Sequence, residues 1–147
     1  MKVVILENIR SAYNVGNVIR TADALGWKVW IIGYTPSPLD NPKVRKTSLG
    51  AEESVGIEQF DSSLDAINRA KELGLQVIAA EITDDALALG SFEASEDIAM
   101  IFGNEVEGVL STTLQKVDQV VFIPMGGVKE SFNIGQSAAI FMWELGK

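Results

Sequence analysis

The 147-residue chain contains neither cysteine nor histidine, which excludes disulfides, thiolate metal sites, a Ser-His-Asp arrangement and the commonest general base. With 47% hydrophobic residues it can bury one core without covalent help, and a single domain over residues 1–147 is expected. A formal net charge of −8 suits a small-molecule enzyme or an interaction module better than a nucleic-acid binder, because phosphate contacts supply much of the affinity for nucleic acid.

In chain order, the opening MKVVILENIRS is an apolar run closed by charge, too short for a signal peptide or a membrane span. No long uncharged apolar stretch follows, so a soluble cytoplasmic protein without membrane association is expected, and no metal site is signalled. Apolar runs at Val3–Leu6, Val29–Ile32, Gln76–Ala80, Ile98–Phe102 and Val120–Ile123 read as strands. Most are continuous, as for strands covered on both faces. Helical patterns lie between or after them at Asn14–Leu25, Ser63–Leu73 and Asn133–Leu145, with a short one at Ser111–Lys116. Gly26 and Gly74 follow two of these where a left-handed C-cap is wanted. Alternating strand and helix predicts an α/β domain with a parallel sheet, its ligand beyond the carboxyl ends of the strands. Tyr34–Pro42 reads as a proline-rich loop and Thr83–Ser91 as irregular.

Three segments are oddly polar for such a domain. In NIRSAYNVGNVIRTADALG (Asn8–Gly26), Val15, Val18, Ile19 and Ala22 form a buried stripe. Asn14, Asn17, Arg20 and Thr21 form a second stripe, with Asn14 as helix cap and Gly16 permitting close approach of backbone or ligand. The pattern fits an anion site for an RNA phosphate or ribose, or a capped helix with Arg20 in solvent. In IFGNEVEGVL (Ile101–Leu110) a buried strand runs into Gly103-Asn104-Glu105. There glycine lets the main chain approach a cofactor and Glu105 can orient a reacting group. A turn with surface carboxylates is the other reading. In FIPMGGVKESFNIGQSAAIFMWEL (Phe122–Leu145) the Gly126-Gly127 loop either wraps a ligand, with Ser131 and Asn133 pointing inward, or is a plain turn with one of those two as N-cap. It lacks the P-loop ending, and no GxGxxG follows the first strand, so neither nucleotide fingerprint is present.

In this order and spacing the three segments resemble the signature motifs of the SPOUT superfamily, closest to its SpoU/TrmH branch of RNA 2′-O-methyltransferases. NVGNVIRTADALG is similar to the first motif, FGNEVEG to the second and IPMGGVKESFNIGQSAA to the third. KTSLGAEESV (Lys46–Val55) also resembles a stretch of short single-domain members. The resemblance implies a parallel-sheet SPOUT fold with a C-terminal trefoil knot, S-adenosylmethionine as cofactor, a homodimer whose sites are completed near the subunit boundary, and transfer or ribosomal RNA as substrate. The short form leans toward transfer RNA. Carried over by position, Arg20, Asn14, Glu105, Ser131 and Asn133 form the catalytic group. Ala80, Gly103, Ile123, Met125, Ser131 and Phe132 line the cofactor. The third motif departs from the pattern at Phe132, where leucine is usual, and at Gly135, where serine is usual.

Methyl transfer from a sulfonium is an in-line displacement that needs no metal, only alignment and help with a proton. An arginine guanidinium rarely gives up its proton. Arg20 is therefore expected to fix the RNA phosphate and polarise the 2′-hydroxyl. Arg10, Asn17, Lys43, Arg45 and Lys46 are the RNA-binding candidates. Lys43, Arg45 and Lys46, just after the proline-rich loop, form either a basic strip on an acidic body together with Arg10 and Arg20 or an ordinary solvated loop. In the last helix Ile134, Ala138, Phe141, Met142 and Leu145 form an apolar stripe, with Trp143 to one side. Rival readings are a base-nitrogen methyltransferase of the same superfamily, a catalytically silent RNA-binding member and a small-molecule α/β enzyme.

Overall fold

A computed structural model describes residues 1–129 and 131–147; Glu130 of the third motif lies outside them. The element order is β1 (Lys2–Glu7), α1 (Ala12–Leu25), β2 (Lys28–Ile32), α2 (Pro42–Ser48), β3 (Ile57–Phe60), α3 (Ser63–Glu72), β4 (Gln76–Ala80), β5 (Leu87–Ala88), β6 (Ile98–Phe102), α4 (Ser111–Leu114), β7 (Gln119–Phe122) and α5 (Ile134–Gly146). The seven strands form one sheet in the order β3-β2-β1-β6-β4-β7-β5, and every pairing is parallel, with Ile5 opposite both Trp30 and Ile101.

Alternate residues of the central strands feed two apolar layers. Val4, Leu6, Met100 and Phe102 pack with Val15, Val18 and Ile19 of α1 and with Ala138, Phe141 and Met142 of α5. Val3, Ile5, Ala99 and Ile101 pack with Ala66, Ile67 and Ala70 of α3. Burial on both faces explains why β1 and β6 are uninterrupted apolar runs. The expected stripe of α5 is buried throughout, while Trp143 is 64% exposed.

Several local expectations need correction. Asn14 does not cap α1: Ser11 does, its hydroxyl accepting from the Asn14 amide at 3.1 Å, so the helix starts two residues earlier and Asn14 lies inside its first turn. Gly16 serves helix packing and no ligand, since a Cβ there would stand 1.7 Å from Thr47 Oγ1 and 2.5 Å from the Val44 carbonyl of α2. Lys43, Arg45 and Lys46 sit on a helix and not on a loop. Asn41 caps it, Pro42 opens it and only Val44 and Ser48 are buried. One aliphatic residue, Val44, in two turns leaves no periodic signal. β3 and β5 were not anticipated either; both are short outer strands, and β5 has two residues.

Candidate active site

Because all strands are parallel, the segments following β1, β2, β4, β6 and β7 meet along one edge of the sheet. Thr35 ties the first two together. Its hydroxyl accepts from the Ile9 amide at 3.0 Å and lies 2.8 Å from the Ile32 carbonyl and 3.0 Å from that of Leu6.

The segment after β6 is built around Asn104, which is 7% exposed. Its side-chain oxygen accepts from the amides of Val106 and Glu107 at 2.8 and 2.9 Å, closing a turn of the Asx type. Its side-chain nitrogen donates to the Asn8 carbonyl at 3.0 Å and to the Tyr34 hydroxyl at 2.9 Å. Gly103 fits the main chain of Gly108 and Val109 so closely that a Cβ would fall 2.3 Å from two of their atoms. Glycine is thus required there by chain-on-chain approach. The next two amides, Val109 and Leu110, donate to carboxylates from two strand ends, Glu81 at 3.1 Å and Glu7 at 2.9 Å. Glu7 is buried, and its second oxygen accepts from the hydroxyls of Ser63 and Thr113.

This scaffold aims Glu105 at the start of α1. Its carboxylate accepts from the amides of Arg10 and Ser11, each at 2.9 Å, and from Asn14 Nδ2 at 3.4 Å. Asn14 Oδ1 in turn accepts from Asn133 Nδ2 at 3.2 Å. Asn133 caps α5 through its own side-chain oxygen, which accepts from the Gly135 and Gln136 amides at 2.8 and 3.4 Å. Partial burial raises the pKa of Glu105, but the amides of Arg10 and Ser11, its own amide and the Asn14 side chain more than offset this and hold it below the ordinary value. Glu105 is therefore an ionised acceptor at neutral pH.

Asn14, Glu105, Asn133 and Ser131 open onto a cavity of about 530 Å³, the size of a cofactor pocket. Ala80, Gly103, Ile123, Met125 and Phe132 line it as well. Phe102, Val121 and Phe141 add apolar wall, and Glu81 and Ser137 add polar groups that the sequence reading missed. For Glu81 the signal was available: a charge immediately after an apolar strand, at the edge where ligands bind.

Arg20 is not among the lining residues. It is exposed on α1, and among the described residues it has no ion-pair partner. Of the RNA-binding candidates, Arg10, Lys43, Arg45 and Lys46 are exposed, and Arg45 Nη1 donates to the Pro38 carbonyl at 2.5 Å. Asn17 is half-buried against Gly135, where an added Cβ would meet Asn17 Cβ at 3.4 Å. An added Cβ at Gly135 would also stand 3.2 Å from Asn133 Oδ1, the cap of α5. Among the described residues no helix is long and apolar enough to cross a membrane.

A parallel α/β domain with a cofactor-sized cavity where its strand ends meet an asparagine–carboxylate cluster is the class that fold and site define. Residues 1–143 match the SpoU rRNA Methylase family, and the chain belongs to that family. It is 30% identical over 142 residues to a tRNA (guanosine(18)-2′-O)-methyltransferase of Borreliella burgdorferi, covering 96% of this chain and 64% of that protein. It is 28% identical over 140 residues to the 23S rRNA (guanosine-2′-O-)-methyltransferase RlmB of Acinetobacter baylyi, covering 95% of this chain and 56% of that protein. The chain thus spans less than two thirds of the length of these curated relatives. Among solved structures, an AdoMet-bound rRNA methyltransferase from Sinorhizobium meliloti superposes with a TM-score of 0.89 at 25% identity, over 98% of this chain and 55% of that one. A structure concerned with 2-OH methylation of C/U34 on tRNA superposes with a TM-score of 0.88 at 28% identity, over 99% of this chain and 93% of that one.

Proposed function

We propose that the protein transfers a methyl group from S-adenosylmethionine to a ribose 2′-hydroxyl of transfer or ribosomal RNA. The observation that carries this reading is the hydrogen-bonded run Glu105–Asn14–Asn133 at the mouth of the cavity, residues drawn from all three family motifs. The cavity suits the cofactor in size, and its wall pairs apolar surface at Phe102, Ile123 and Phe141 with acceptors at Glu81 and Ser131. Ala80, Gly103, Ile123, Met125, Ser131 and Phe132 would hold it. When bound, the cofactor supplies a methyl carbon on a positively charged sulfur.

The protein's own contribution is placement. Glu105, ionised and pinned by two main-chain amides, accepts a hydrogen bond from the ribose hydroxyl and orients a lone pair toward the methyl carbon. Its lowered pKa makes it a weak base, so it acts as a fixed acceptor and the proton passes on to solvent. Asn14 and Asn133 keep the carboxylate and the start of α5 in register. Ser131 completes the polar wall. Arg10, Asn17, Lys43, Arg45 and Lys46 contact the RNA backbone.

Arg20 lies outside the lining of its own chain's cavity, and we assign it to the site of a second copy, which ties its catalytic role to a homodimer. The exposed Trp143 and the 39% exposed Ile140 on α5 support such an interface; sedimentation at micromolar concentration tests it. Residues 1–147 act as one catalytic domain, with a trefoil knot at the C-terminal part. The knot rests on the resemblance of the third motif to the SPOUT pattern. A knotted chain pulled from its ends stops short of full extension.

Calorimetry with S-adenosylmethionine, followed by transfer of its labelled methyl group into unmodified transfer and ribosomal RNA, tests the central reading. Saturable binding with label in one RNA class supports it. No binding and no label on either RNA contradict it.

A further inference from the structure

We propose that the exposed ring of Tyr34 is a stacking platform for an unpaired nucleobase beside the ribose that enters the cavity; the proposal rests on the RNA methyltransferase reading above. Tyr34 is 60% exposed, yet it is held at both ends. Its hydroxyl accepts from Asn104 Nδ2 at 2.9 Å, and Asn104 is itself buried and fixed to the Asn8 carbonyl at 3.0 Å. Its backbone is fixed through the next residue, Thr35, which is 6% exposed and accepts from the Ile9 amide at 3.0 Å. The tip and the base of the ring are therefore anchored while most of its surface stays in water. A large apolar surface left in solvent and immobilised beforehand is what a stacking partner uses best, since little side-chain freedom remains to be lost on contact.

The surroundings point to nucleic acid. The Ile9–Thr35 bond that fixes Tyr34 also places Arg10, which follows Ile9 and whose side chain is exposed. The Arg10 amide is held by Glu105. An aromatic ring, a cation and the proposed hydroxyl acceptor thus come from the ends of three adjacent strands, β2, β1 and β6. To present a 2′-hydroxyl to a cavity, an RNA takes a nucleotide out of its stack, and an aromatic face replaces the stacking it loses. Such a contact tolerates any base because every base has a π-face.

The test compares Tyr34→Leu and Tyr34→Phe with wild type, using filter binding to bulk unmodified transfer RNA and to ribosomal RNA, cofactor calorimetry and steady-state kinetics. Tyr34→Phe keeps the ring and should bind RNA within about twofold of wild type, whereas Tyr34→Leu should bind about tenfold more weakly. The loss should appear in KM for RNA with kcat nearly unchanged and cofactor affinity unmoved; both variants lose the hydroxyl that Asn104 donates to, so they should melt alike while differing in RNA affinity. If wild type methylates RNA and Tyr34→Leu binds that RNA as tightly, the platform alone is overturned. Equal losses in Tyr34→Phe and Tyr34→Leu also overturn it, because the hydroxyl and not the ring would then matter. A wild-type protein that takes neither cofactor nor RNA overturns the enzyme reading and the platform with it.

Discussion

Asn14 bridges Glu105 and Asn133: its amide nitrogen donates to the Glu105 carboxylate at 3.4 Å while its oxygen accepts from Asn133 Nδ2 at 3.2 Å. One side chain in the first turn of α1 thereby joins the segment after β6 to the cap of α5. Asn14→Asp replaces the donor with a second carboxylate facing Glu105. It should lower kcat by about 100-fold, a loss of the size found when a positioned polar group at a reacting centre is removed. Asn14→Ala should lose a similar factor, and stopped assays on labelled RNA with cofactor calorimetry separate turnover from binding.

The pH dependence of stability follows from Glu105. Its folded pKa is lowered, so its stabilisation is complete above the unfolded carboxylate range and disappears as pH falls through the folded value. Glu52 contributes in the same sense, chiefly through the hydroxyl of Ser48, which donates to it at 2.5 Å. Denaturant unfolding from neutral pH down to about pH 3, below the unfolded carboxylate range, should show a smaller acid loss in Glu105→Gln than in wild type. An unchanged slope would mean that the four donors do not favour the ionised form.

Gly16→Ala presses a methyl group against Thr47 Oγ1 and the Val44 carbonyl. The carbonyl belongs to main chain, so α2 must move as a body. The expected cost is about 1–3 kcal/mol, typical of overpacking, and Thr47→Ala should restore only part of it. Because α2 carries Lys43 and Lys46, RNA affinity should fall more than cofactor affinity. Thermal melts and filter binding on the same preparations check both halves of the claim.

Glu7→Ala leaves the Leu110 amide and the hydroxyls of Ser63 and Thr113 without their buried acceptor. Unfolding free energy should drop by about 3 kcal/mol, as for other buried polar groups stripped of partners. Glu7→Gln, which still offers one acceptor, should lose less. If the two variants melt alike, the clamp on Leu110 is not what Glu7 supplies.

Much of this architecture was legible in the sequence. The central strands are continuous apolar runs because both faces are covered, and the cavity-lining residues could be placed because three motifs fall in order along the chain. Other features were hidden for physical reasons. Ser11 outcompetes Asn14 as helix cap, and a helix with two buried residues such as α2 has no readable period. The partners of Glu7 and Glu81 lie 103 and 28 residues away respectively, a separation that no local pattern encodes. The exposed position of Arg20 reflects the same limit, since the motif names the residue and not its surroundings in the fold.

Arg20 makes the dimer testable through complementation. Arg20→Ala and Glu105→Ala should each abolish turnover alone. An equimolar mixture of the two after subunit exchange should regain about a quarter of wild-type activity, because half the dimers are then mixed and one of their two sites is intact. Recovery absent in dimers proven to exchange subunits would place Arg20 in its own protomer's site or outside catalysis.

The central claim is tested most directly by the chemistry of the product. Transfer or ribosomal RNA is labelled from S-adenosylmethionine by wild type and by Glu105→Ala, then digested with alkali, which cannot cleave beside a methylated 2′-oxygen. Labelled alkali-resistant dinucleotides with wild type, absent with Glu105→Ala, are the predicted result. Label confined to alkali-sensitive mononucleotides would move the acceptor to a base and contradict the account.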